Sequence, residues 1–154
     1  MRRVLTYPGH RAAWAAGIVL GLGTLSCGDD SSGPTAVAHT HSVIIVEGEF
    51  GISANSWGAI QVNVTTSMGS PRVTASFTVL GGAGDRIRVL VMAEAEAVNW
   101  SNGQAFTALY DSGQITMASF DAEVGFGRHY VVFDNSSNAS SRDVAIRVGL
   151  AWDG

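Results

Sequence analysis

Alternation of apolar and polar residues with a period of two constrains this chain more than any other feature. Residues 72–80, RVTASFTVL, place Val73, Ala75, Phe77 and Val79 on one face and Thr74, Ser76 and Thr78 on the other. Residues 86–92, RIRVLVM, repeat the pattern with Ile87, Val89 and Val91, and residues 144–151 do so with Val144, Ile146, Val148 and Leu150. In residues 129–133, His129, Val131 and Phe133 share a side. A period of two means strand, because successive side chains point to opposite faces. Residue types agree: after residue 26 there are 15 Val, 7 Ile and 8 Thr against only 4 Leu. Branched side chains lose rotamer freedom in helices and pack well on a pleated surface. Further strands are expected at residues 42–46, 50–54, 59–66 and 114–118. Turn signals at 68–71, 81–84, 111–113 and 135–141 separate them. Eight short strands at this spacing predict an all-β chain folded as one antiparallel β-sandwich. Residues 93–97, AEAEA, are read as one helical turn at most.

The 154 residues suffice for one domain and not for two. Their opening is a different kind of sequence. Residues 1–11 hold Arg2, Arg3 and Arg11 and no acid, and residues 12–26 are apolar or small. That run is shorter than the ~20 residues of a membrane helix, and its flanks are those of a secretory signal. Residues 23–27, GTLSC, resemble the lipobox of bacterial lipoproteins, with Thr24 where the strongest versions carry leucine and Leu25 one place later. The resemblance implies cleavage before Cys27 and a diacylglyceryl group on its thiol. Several acyl chains, at roughly 0.8 kcal/mol per buried CH₂, make a durable anchor. Cys27 is the sole cysteine, so no internal disulfide competes for it. Gly28 follows it where an inner-membrane lipoprotein would carry Asp, which implies the outer membrane of a Gram-negative cell. Arg2-Arg3 also fits a twin-arginine signal without its usual flanking serine and following lysine, so both export routes stay open. The chain is expected to divide into a signal peptide at 1–26, a lipidated Cys27 with a flexible tether at 27–40, and a folded domain at 41–154.

From Cys27 onward six arginines face thirteen acids, a net of −7. This balance argues against nucleic acid, whose affinity comes largely from basic residues on phosphates. It equally argues against polybasic attachment to anionic lipid, leaving the lipid anchor as the route to a membrane. The tether, GDDSSGPTAVAHT, is small, polar and turn-prone. His39 and His41 at its end could share a metal, but a site needs three or four ligands, and no partner cluster is visible. They are read as solvated.

The order Gly84-Asp85, a strand, Val98-Asn99-Trp100, then 109–114 (LYDSGQ), 127–135 (GRHYVVFDN) and a last strand to Trp152 resembles the GOLD-type β-sandwich. GOLD domains are the lumenal modules of eukaryotic cargo-sorting proteins and also occur in small bacterial exported proteins. The resemblance covers about residues 71–152, half the chain. It implies a sandwich, a role in binding protein partners, and no catalytic residue. The cysteine pair that bridges the sheets in eukaryotic members is missing; Val132 stands near where one would lie.

Searching for chemistry yields little. His129 is the one histidine well inside the domain, and no G-x-S-x-G elbow accompanies it. Residues 81–84, GGAG, precede a strand and lack a following lysine, so a hairpin turn accounts for them better than a phosphate loop. Glu94 and Glu96 are read as an exposed loop face, and Asp134-Asn135 with Asp111 as turn residues bonding their own backbone in preference to calcium ligands. No cofactor or catalytic residue is expected, and the protein is read as a non-enzyme. The candidates for a ligand, or for the end of the core, are Asn99, Trp100, Tyr110, Asp134 and Asn135. Trp57, Trp100 and Tyr110, near Asn99, Asn102 and Gln104, offer the aromatic faces and amides that suit a sugar ring. Against this, Trp100 is expected to plug the end of the core. The expected function is presentation of the sandwich to an unidentified protein of the cell envelope, an exposed sheet edge accepting a partner strand. The alternative is a carbohydrate-binding module.

Overall fold

The computed structural model describes residues 40–81 and 84–154. The expected signal segment, Cys27, the expected tether up to His39, and residues 82–83 of the 81–84 turn lie outside the described residues, while Thr40, counted with the tether, already opens a strand. The domain runs β1 (Thr40–Ile52), β2 (Ser56–Val64), β3 (Gly69–Leu80), β4 (Ile87–Ala93), α1 (Glu94–Ser101), β5 (Tyr110–Ile115), β6 (Met117–Glu123), β7 (Gly127–Asn135) and β8 (Arg142–Asp153). Two four-stranded sheets form a sandwich, one ordered β1-β8-β3-β6 and the other β2-β7-β4-β5, with every pairing antiparallel. The expected antiparallel sandwich is the fold.

The alternation that predicted the strands also fills the core. Val73, Phe77 and Val79 of β3 meet Val144, Ile146, Val148 and Leu150 of β8 from one sheet, and Val62, Ile87, Val89, Val91, Val131 and Phe133 from the other. The Phe77 and Phe133 rings meet edge to face at 6.3 Å between centroids. Burying each such side chain contributes roughly 1.5–3 kcal/mol.

Residues 111–113, expected as a turn, lie inside β5, where Gly113 at φ +61° marks an irregularity in the pairing with β4, and three boundaries differ from expectation. Residues 42–46 and 50–54, read as two strands, belong mainly to one: β1 continues through Gly48, whose φ of +153° suits a residue without Cβ, and absorbs a bulge between Ile44 and Val46. Residues 114–118, read as one strand, straddle two. β5 ends at Ile115 and β6 starts at Met117 in the other sheet, with the Thr116 carbonyl accepting from Val79 N at 2.8 Å. Ile115 and Ala118 both pack on the core, a spacing of three that one strand of period two does not allow. The single helical turn at 93–97 is two turns of α1, starting one residue later. Its first turn carries Glu94 and Glu96 with no side-chain N-cap, so packing of Ala97 and Trp100 on the sheet below supports it more than capping does.

Candidate functional site

The outer face of the β2-β7-β4-β5 sheet is apolar and covered. Leu90, Met92 and Val132 point away from the main core, yet each is at most 1% exposed. Trp57, Ala97, Trp100, Phe106, Ala108 and Tyr130 pack on them. Trp57 and Trp100 meet edge to face at 5.2 Å between ring centroids. Helix α1 and the segment after it thus form a lid on this face. At one border of the lid Arg88 grips Asp111 with two bonds, Nε to Oδ1 at 2.9 Å and Nη2 to Oδ2 at 2.6 Å. Its guanidinium lies 5.9 Å from the centre of the Phe106 ring. The hydrogen bond to Arg88 holds the Asp111 carboxyl below its ordinary range, and the same bond raises Arg88. At the other border Arg128 pairs with Glu94 at 3.1 Å. Glu96 accepts from Thr107 N at 2.7 Å, tying the helix to the segment that follows.

The structure distributes the five candidate residues instead of gathering them. Trp100 does not plug the end of the core, as the sequence suggested; it roofs the outer face. Asn99 lies beside it on α1, its carbonyl accepting from Asn102 N and Gln104 N at 3.1 and 2.9 Å. Tyr110 points the other way, toward the core, and stacks on Phe120 with centroids 3.9 Å apart and planes 16° from parallel. Burial first, then the neighbouring Asp111, pushes its hydroxyl above the ordinary tyrosine range.

Asp134 and Asn135 point to opposite faces of β7, so they cannot share a cation. Asp134 is opposite Trp57 and Arg88 and accepts from Ser136 N at 2.9 Å, the turn bond expected of it. Asn135 is fully buried on the core side. Its Nδ2 donates to the carbonyls of Ser140 at 2.9 Å, Ser53 at 3.0 Å and Ile52 at 3.3 Å, and its Oδ1 accepts from Asn138 Nδ2 at 2.7 Å. It clasps the β1–β2 and β7–β8 connections and closes that end of the core. Val132 lies on the outer face with Leu90 and Met92, while its neighbours Val131 and Phe133 face the other sheet. Among the described residues no three His, Cys, Asp or Glu side chains gather as metal ligands would. His41 stacks on Trp152 at 5.5 Å.

A feature the sequence reading passed over is the first half of β1. Among the described residues this strand ends its sheet, so one row of its N–H and C=O groups has no neighbouring strand there. Thr40 to Ile45 are all exposed, with Val43 at 47%, Ile44 at 49% and Ile45 at 37%. Val43 is opposite Leu150, hence on the core-facing side. It is nonetheless open, at the border of its sheet, while its partner Leu150 one strand further in is buried. Glu47 and Glu49 charge the second half, where Glu47 reaches Arg147 at 3.5 Å. The first half has no charge or proline of the kind that guards edges. Four branched residues in a row, Val43 to Val46, were the available signal.

Fold and surface together define a β-sandwich domain with one lidded face and, at the β1 edge, an exposed and uncharged half-strand. No family model matches the chain, and no curated protein sequence matches it. Solved structures with a similar course share little sequence. A Bacillus endospore-appendage protein, from a family of disulfide-linked pili, is 14% identical with a TM-score of 0.44, over 84% of this chain and 97% of that one. The periplasmic g-type lysozyme inhibitor PliG of Aeromonas hydrophila is 14% identical with a TM-score of 0.45, over 74% and 88%. A chain of deformed wing virus, a honeybee pathogen, is 10% identical with a TM-score of 0.38, over 99% and 56%.

Proposed function

We propose that this is a lipid-anchored protein of the bacterial envelope whose GOLD-like β-sandwich has no catalytic role and binds another envelope protein through the free edge of β1. One observation carries the reading: an unguarded edge at Thr40–Ile45 with three exposed branched residues, at the start of the domain and so beside the tether. Main-chain groups on such an edge give affinity to an incoming strand, and side chains such as Val43 and Ile44 give it selectivity. The lipobox-like residues around Cys27 support the anchor. Cys27→Ser should abolish acyl labelling of the protein in cells; continued labelling contradicts the anchor. Ile44→Lys should leave the melting temperature unchanged and remove the partner recovered after crosslinking in native cells. Equal recovery from both proteins contradicts the edge.

The outer face of the β2-β7-β4-β5 sheet favours carbohydrate as a second reading. Trp57 and Trp100 lie together there, and Tyr130, whose hydroxyl is 3.4 Å from Gln61 Oε1, sits on the same face. Tyr110 takes no part, since it faces the core. On this reading a soluble glycan quenches tryptophan fluorescence, and Trp57→Ala removes the quenching.

A further inference from the structure

Among the described residues only two polar side chains are buried on the core side of the sandwich, His129 and Asn135. Asn135 is satisfied on both amide atoms, as described above. His129 is not. It is 3% exposed, on the face shared with Val131 and Phe133, and its strand partners are Val62 on β2 and Ala93 on β4. Its Nδ1 has no hydrogen-bond partner. The ring's polar contact is with the backbone of Gly127, a residue held at φ +108°. The ring therefore holds a polar nitrogen without a partner inside the sandwich.

A doubly protonated ring would need an acceptor for its Nδ1–H and a counter-charge, and the neighbouring elements supply no charged group. Strand β2 holds no ionisable residue. On β4 the only one is Arg88, engaged with Asp111 on the outer face. Glu94 and Glu96 of α1 lie on that outer side, bonded to Arg128 and to Thr107 N. From the facing sheet, Arg72 of β3 and Asp121 and Glu123 of β6 alternate with buried Val73 and Ala122 and are exposed. Asp153 of β8 follows Trp152 and faces outward in the same alternation. On β7 itself Arg128 and Asp134 point outward.

We infer that the seam between β2 and β7 at Val62 and His129 is an acid-released latch, closed by a neutral imidazole and opened when that ring takes a second proton. The latch does not depend on what the domain binds. Burial holds His129 below the ordinary histidine range, and the Gly127 bond opposes this without cancelling it. The unfolded chain takes up the proton near 6.5, while the folded one does so only at lower pH. Between those values the unfolded state binds more protons, so stability falls as pH falls. The seam lies at the Val64 end of β2, the end at which β3 and β7 begin and β8 finishes, so release would loosen the end from which β1 starts.

The test is denaturant unfolding of the full chain from pH 8 to pH 5, beside His129→Phe. The unfolding constant of the unmodified protein should rise toward about tenfold per pH unit below about 6.5, in excess of any rise in the variant. Parallel pH curves overturn the latch. Should His129→Phe fail to fold, ring NMR of the unmodified protein decides. A His129 ring that stays neutral in the folded population below pH 6 supports the latch. A ring that titrates near 6.5 while the domain stays folded refutes it.

Discussion

The two outer faces of the sandwich are built on opposite plans. On the β1-β8-β3-β6 sheet, Thr74, Ser76 and Thr78 of β3 alternate with core residues and stand among exposed Asp121, Glu123 and Arg147. That face is finished when the sheet forms. On the other sheet β4 is apolar on both sides: Val89 and Val91 enter the main core, while Leu90 and Met92 form the floor of a second one. Such a face must be covered, and the chain covers it with α1 and the segment 102–109. Apolar residues outside the main core meet two fates. Those at Leu90, Met92 and Val132 are consumed by the protein's own lid. Those at Val43, Ile44 and Ile45 have no such cover among the described residues.

Three substitutions test this division. Leu90→Ala should destabilise the domain by about 3–4 kcal/mol, the cost of a core cavity, in chemical denaturation; a loss under 1 kcal/mol would mean that the lid is loose. Trp100→Ala should cost about 2–3 kcal/mol, because the ring is half-buried and its loss uncovers Leu90 and Met92. Under the carbohydrate reading the same change instead removes sugar-induced quenching with little loss of stability. Ser76→Ala, on the open polar face, should stay within about 0.5 kcal/mol; a larger effect would mean that this face is also covered.

Strand positions were legible wherever one face is buried, because burial imposes a period of two. Residues 72–80 and 129–133 show this most clearly. Legibility failed where the period changes meaning. In RVLVM both phases are apolar, which marks a strand buried on two sides, and that in turn requires a cover that residues 93–97 only hinted at. Small residues hid β6, whose inward Ala118 and Ala122 give a weak pattern. The candidate residues were legible as types and not as a site. Neighbours in sequence on one strand point to opposite faces, which separates Asp134 from Asn135 and Tyr110 from Asp111. Trp57 and Trp100 are 43 residues apart in the chain, and only the packing of α1 over β7 and β2 joins them.

The measurement closest to the central claim is photo-crosslinking in native cells with the crosslinking residue placed in turn at Ile44, Ser76 and Trp100. The β1 edge, if it is the binding surface, should yield one recurring envelope protein from Ile44 and background from Ser76 and Trp100. Equal yields from Ile44 and Ser76, or a product confined to Trp100 and carrying polysaccharide, would contradict it.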